Sequence, residues 1–230
     1  MISVMVHGDQ SASLRSDELT RLIKERIKRE VVFSGISKSY CVGLVDVVNS
    51  TVNTARISNS KMGEYYGTFL NAMSTIVQEF GAKVVKNIGD SLLYYFPRTD
   101  YDSGKDSFLD VLECSLSIID SHGAINEIMS EKSFPKTDFR VSADYGTIAK
   151  SLTPVEDIFG PTVNLCSKIN GTASPNGVVI GGDLYEIVKS LKSYEFGLLG
   201  SYSLGLKFSY PVYAVTRRPS KLSLKCKCLA

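Results

Sequence analysis

The chain has 230 residues, 43% of them hydrophobic and 22% charged, which is enough to bury one substantial core and fits one domain with short appendages. Its 26 basic and 24 acidic residues leave a formal net charge of +2, too weak a field to point to nucleic acid or an anionic membrane surface as a partner. No apolar run approaches the ~20 residues of a membrane span, and the opening MISVMVHGDQ lacks a basic leader and a long apolar core, so no membrane insertion is expected and the chain reads as cytoplasmic.

The first predicted element is the helix SDELTRLIKERIKREVV, with Ser16 as N-cap, acids in the first turn and an apolar stripe of Leu19, Leu22, Ile23 and Ile27. Packing of that stripe on the domain is expected, with pairing against a partner's copy as the alternative. CVGLVDVVNST (41–51) reads as a buried strand with a carboxylate, Asp46, in its apolar interior and no Lys or Arg beside it in that strand. From Asn59 to Phe80, the positions Met62, Tyr65, Tyr66, Phe69, Met73, Ile76, Val77 and Phe80 recur at three- and four-residue steps, giving a long core-facing helix stopped by Gly81.

VVKNIGDSLLYYFP (84–97) reads as a hairpin connected through Asn87–Ser91. Asp90 then has two readings, a turn cap or a functional carboxylate. A helix through Phe108–Ile119 follows a polar loop, and FRVSADYG with TIAKSL reads as a second hairpin turning at Gly146. EDIFGPTVNLCSKINGTA passes from loop to helix near Pro161. GVVIGG is a strand, DLYEIVKSL a helix, and YEFGLLG with YPVYAV completes the sheet. This order predicts an α+β fold, a mostly antiparallel sheet covered by helices, with an N-terminal extension over 1–35, a main domain over 36–216 and a basic disordered tail over 217–230.

The five cysteines do not form a disulfide framework: Cys41, Cys114 and Cys166 stand singly in apolar surroundings, and Cys226 and Cys228 lie in the tail. With two histidines in the chain, carboxylates must carry any metal. Asp46 and Asp90, each at the end of a strand or hairpin, would suit a hard divalent cation, whose preferred ligands are oxygens.

Three motifs in order, LVDVVNST, VVKNIGD and DIFGPTVNLCSK, resemble those of the class III adenylate/guanylate cyclase catalytic domain over about Tyr40–Val215. The resemblance implies a ferredoxin-like cyclase fold and two Mg²⁺ or Mn²⁺ ions about 4 Å apart, held at Asp46, Val47 and Asp90, one acidifying the ribose 3′-hydroxyl and one gripping the triphosphate. It implies backbone amides of Val48, Asn49, Ser50 and Thr51 around the phosphates, Asn164 orienting the ribose, and Lys168 meeting the transition-state charge. Lys86 and Asp157 match the positions that read adenine in adenylate-type members, an ammonium donating to N1 and a carboxylate accepting from the exocyclic amine. ATP is therefore the expected substrate, and a homodimer with composite sites at its interface the expected assembly.

The chain departs from the family pattern at three places. Lys168 stands where active members usually carry Arg, Asn49 where they carry Gly, and Lys207 is the nearest counterpart of a C-terminal phosphate-binding Lys. Besides adenylate cyclase, a weak or degenerate cyclase-like nucleotide-binding domain and a guanylate cyclase remain as alternatives.

Overall fold

A computed structural model describes residues 9–26, 37–100, 104–151, 156–203 and 209–219. The chain builds one sheet from β1 (Lys38–Val47), β2 (Lys83–Ile88), β3 (Ser91–Phe96), β4 (Phe139–Lys150), β5 (Ile158–Phe159), β6 (Val178–Gly181), β7 (Tyr194–Tyr202) and β8 (Tyr210–Arg217). The strand order is β2-β3-β1-β4-β6-β8-β7, with the short β5 paired to β4. Every pairing is antiparallel except β4 with β6.

Alternation along the strands sends side chains to two differently covered faces. Cys41 and Val45 of β1, with Tyr94 and Phe96 of β3, join a large core beneath α3 (Asn59–Glu79), α4 (Lys105–Asp120), α5 (His122–Glu131) and α7 (Gly182–Val188). Tyr65, Phe69, Met73 and Val77 form the buried stripe of α3, at the spacing expected from the sequence. The opposite face carries Tyr40, Val42 and Leu44 with Leu93 and Tyr95, and α6 (Pro161–Asn170) packs on it through Cys166. Ile169 of α6 extends this layer over Val179 and Val212.

Several expectations are corrected. The N-terminal helix, α1 (Asp9–Arg26), starts before Ser16, which lies inside it rather than capping it. Leu19, Leu22 and Ile23 are exposed rather than packed on the domain as expected, and Ile27 lies outside the described residues. α5 was not foreseen: it follows α4 after Ser121 alone, and that serine bonds back to the Ile118 carbonyl at 2.6 Å, leaving no run of turn residues to mark the break. The predicted hairpin at Gly146 is one continuous strand, β4. The missing side chain there serves α6 instead, because a Cβ would lie 2.6 Å from Thr162 Oγ1. Cys226 and Cys228 lie outside the described residues.

Gly43 controls the packing of β1, which carries Asp46, against β3, which follows Asp90. It pairs with Tyr94, and a Cβ at Gly43 would stand 2.3 Å from the buried Tyr94 ring. Gly43→Ala is therefore expected to destabilise the domain by about 1–3 kcal/mol, the usual cost of overpacking. Urea unfolding measures it, and a midpoint equal to that of the wild type would contradict the close approach.

Candidate active site

The β1–β3 ladder ends on the pair Asp46↔Ser91, and Gly89 and Asp90 form the two-residue turn from β2 into β3. Gly89 has φ 63, a conformation that glycine adopts without penalty. Asp46 shares the face of Val42 and Leu44, the face that α6 covers. Ser91 Oγ donates to Asp46 Oδ1 at 2.6 Å, and Arg140, its register partner on β4, brings Nε to 4.0 Å from Oδ2. The absence of a base near Asp46 thus holds only for its own strand. Period-2 alternation was the signal that could have found Arg140, since it sits between the inward Phe139 and Val141 and must face the other way.

Burial raises the Asp46 carboxyl above the ordinary carboxylate range. The Ser91 hydrogen bond pulls it down, the negative charge of Asp90 pushes it up again, and Arg140 lowers it. Arg140 Nε is itself buried without a hydrogen-bond partner among the described residues. Two carboxylates that repel one another at a strand end suit a divalent cation. The alternation of β1 turns the Val47 carbonyl to the β3 side, toward the Asp90 turn. Among the described residues no group of three or more His, Cys, Asp and Glu converges, so remaining ligands would be water or phosphate oxygens.

Beyond Val47 the chain enters α2 (Ser50–Thr54) through Asn49, at φ 55 and ψ 36. This left-handed conformation explains the residue: asparagine is among the few side chains that tolerate it. The Val48 amide donates to the Asp138 carbonyl at 2.8 Å, which removes it from the expected phosphate cradle. Ser50 and Thr51 open the helix, and their amides have no intrahelical carbonyl to reach.

Lys86 and Asp157 form an ion pair at 2.5 Å, and the Lys86 ammonium lies 5.7 Å from the centre of the Phe159 ring. Asp157 is tied to the Lys150 end of β4: its carbonyl accepts from Ser151 N at 2.8 Å and its amide donates to Ser151 Oγ at 2.9 Å. Asp46 lies beside the Arg140 end of the same strand. Asn164 and Lys168 are one helical turn apart on the exposed side of α6, while Thr162, Cys166, Ile169 and Asn170 are buried. The Asn170 side chain donates to the Leu44 carbonyl at 3.3 Å, fixing α6 to the strand of Asp46. Lys207 lies outside the described residues.

The model of the adenylate and guanylate cyclase catalytic domain family matches residues 35–216. The chain belongs to this family. An adenylate cyclase of Streptomyces coelicolor is 28% identical over 145 residues, covering 63% of this chain and 33% of that protein. The cyclase domain described here thus spans about a third of the length of such relatives. Among solved structures, the adenylyl cyclase CyaB from P. aeruginosa superposes with a TM-score of 0.72 at 16% identity, covering 80% of this chain and 96% of that one. The catalytic core of a rhodopsin-guanylyl cyclase with converted specificity, in complex with ATPαS, gives a TM-score of 0.68 at 21% identity, with 83% and 100% covered. These likenesses show the fold, an eight-stranded, mostly antiparallel sheet with helices.

The electrostatics of Asp46 generate a test. Its folded-state pKa is raised, so the stability it contributes is present below the unfolded pKa and lost as pH rises through the folded value. Without divalent cations, Asp46→Asn should melt above the wild type at pH 8, and the gap should narrow as the pH falls. Mn²⁺ should raise the wild-type melting temperature and leave that of the variant unmoved. Calorimetry that gives equal melting temperatures at pH 8 and equal responses to Mn²⁺ would contradict this account.

Proposed function

We propose that this cyclase domain converts ATP to 3′,5′-cyclic AMP and pyrophosphate, in a homodimer whose active sites combine residues of both copies. The observation that carries the reading is the Lys86–Asp157 pair, a donor and an acceptor of the type that adenine N1 and its exocyclic amine require. Curated relatives at 25–28% identity named adenylate cyclase support the same choice of base.

Asp46, Asp90 and the Val47 carbonyl would hold divalent cations, which when bound acidify the ribose 3′-hydroxyl and neutralise charge on the triphosphate. Arg140, beside Asp46, would offer its positive charge to phosphate oxygens, and the Ser50 and Thr51 amides at the start of α2 would add uncharged donors. Ser91 would keep Asp46 oriented through its short hydrogen bond. Asn164, from the second copy, would hold the ribose so that its 3′-oxygen lies in line with the α-phosphorus. Lys168 would meet the charge developing on the α-phosphoryl oxygens as pyrophosphate leaves, as a point charge without the two-pronged fork of arginine.

That substitution favours a second reading, a slow or degenerate cyclase-like domain that binds nucleotide without turning it over. The proposed location of the reaction is cytoplasmic; among the described residues no helix is long and apolar enough to cross a membrane.

Incubation of the purified protein with ATP or GTP and Mn²⁺ or Mg²⁺, followed by mass spectrometry, tests the proposal. Cyclic AMP and pyrophosphate are expected, with loss by orders of magnitude in Asp46→Asn and Asp90→Asn. Lys86→Glu combined with Asp157→Cys is expected to shift preference toward GTP. Cyclic GMP from the wild type would establish the guanylate alternative, and no product under any combination would favour the binding domain.

A further inference from the structure

Next to the Lys86–Asp157 pair lies a second, parallel set of charges that the reaction does not use. Lys83 and Lys86 are three residues apart on β2, a spacing that in a regular strand would put them on opposite faces. The register shift between Val84 and Lys86 changes this: Lys83 pairs with Tyr95 and Lys86 with Leu93, so both lysines look out over the Leu93–Tyr95 face. Two consecutive acids answer them from the segment before β5. Lys83 bonds Glu156, and Lys86 bonds Asp157.

Glu156 is held from three sides. Besides Lys83, Tyr95 donates its hydroxyl to Glu156 Oε1 at 2.9 Å, and Lys150 stands 3.6 Å from the same oxygen. Lys150 also donates to the Tyr95 hydroxyl at 2.7 Å, with its ammonium 4.4 Å from the Tyr95 ring centre and 5.0 Å from that of Tyr40. The Lys83 hydrogen bond, joined by those of Tyr95 and the charge of Lys150, holds the Glu156 carboxyl below the ordinary range against the cost of burial. Glu156 therefore stays charged, and the network joins β2, β3 and β4 to the residue immediately before Asp157.

We propose that Glu156 and Lys83 form a clamp that sets base selectivity, with Glu156 as a positioning residue for Asp157. The inference rests on the reading of Lys86 and Asp157 as the base-reading pair. Lys86 and Asp157 satisfy one another in the free protein, so the arrival of a base must loosen their bond. When that bond gives way, the Ser151 bonds hold the Asp157 backbone and the Ile158 amide holds Oδ1 at 2.8 Å, and the Glu156 network adds the tie to β2 that sets the distance between the Asp157 carboxylate and that strand. Without the clamp, the segment carrying Asp157 would lose its tie to β2, and discrimination between a donor and an acceptor at the purine 6-position would fall.

The test measures equilibrium binding of 3′-deoxy-ATP and 3′-deoxy-GTP, which lack the attacking hydroxyl and cannot cyclise. In the wild type, tighter binding of the adenine nucleotide is expected. Lys83→Met should lower the ATP-to-GTP affinity ratio about threefold, within the range an exposed ion pair can carry, and Glu156→Gln, which weakens contacts to three donors, about fivefold to tenfold. Lys83→Arg should keep the wild-type ratio, and the double variant Lys83→Met/Glu156→Gln should fall no further than Glu156→Gln alone. A merely structural role would lower the melting temperature while leaving the ratio in place. A wild type that prefers adenine, with ratios unchanged in properly folded Lys83→Met and Glu156→Gln, overturns the clamp and leaves the base-reading pair standing. A wild type without any preference overturns the base-reading pair and the clamp with it.

Discussion

The sheet is covered unequally, and the placement of the candidate site follows from that. Among the described residues four helices bury one face, whereas α6 alone packs on the other. A strand residue on the first face must be apolar, but one on the second can be polar wherever α6 does not reach. Alternation then decides the identity of each position: Tyr40, Val42 and Leu44 pack on or beside α6, and Asp46, two residues further along, meets Ser91 and Arg140 at the end of the ladder. The arrangement leaves both polar groups of the site and apolar side chains in view, with Ile88 at 51% and Phe159 at 38% exposure.

At the Asp46 end the electrostatics are unresolved within the protein itself. Burial and the charge of Asp90 oppose ionisation of Asp46, and Arg140, at 4.0 Å, offsets only part of this. At the Lys150 end the balance is different, since each acid there has a lysine: Glu156 with Lys83 and Asp157 with Lys86. One end therefore needs an added positive charge, and at the other, where Lys150 makes three lysines to two acids, every acid is paired until a ligand competes for it. A cation–triphosphate complex and a purine base are ligands of those two kinds.

The main strands and helices were legible because their signals are local. The three-four spacing of α3 and Pro161 at the start of α6 each specify their element without reference to the rest of the chain, whereas the hairpin connection read over Asn87–Ser91 is only Gly89 and Asp90, because Asn87 and Ile88 pair within β2 and Ser91 within β3. Gly146 misled because its missing Cβ answers a contact with Thr162, sixteen positions away, rather than a turn. The three acidic motif positions were legible as residues, yet their neighbours were not. Arg140 reaches Asp46 only through strand pairing, and Lys83 shares a face with Lys86 only because of a bulge that the run KVVK does not announce. Asn49, a departure from the family's glycine, is a residue suited to a left-handed turn.

The proposed function requires two incomplete sets of groups to meet: the Asp46–Asp90 end of one copy, and the Lys86–Asp157 pair with the outer side of α6 from another. A head-to-tail pair of half-covered sheet faces would bring them together and would cover the exposed Ile88 and Phe159 as well. The most direct measurement mixes two inactive variants, Asp46→Ala and Asn164→Ala, under conditions of subunit exchange verified with differently tagged copies. If the sites are shared, one site of each mixed dimer receives both lesions and the other none, and equal mixtures should regain about a quarter of wild-type cyclase activity. If exchange is complete and no activity returns, every site lies within a single chain and the shared-site account is wrong.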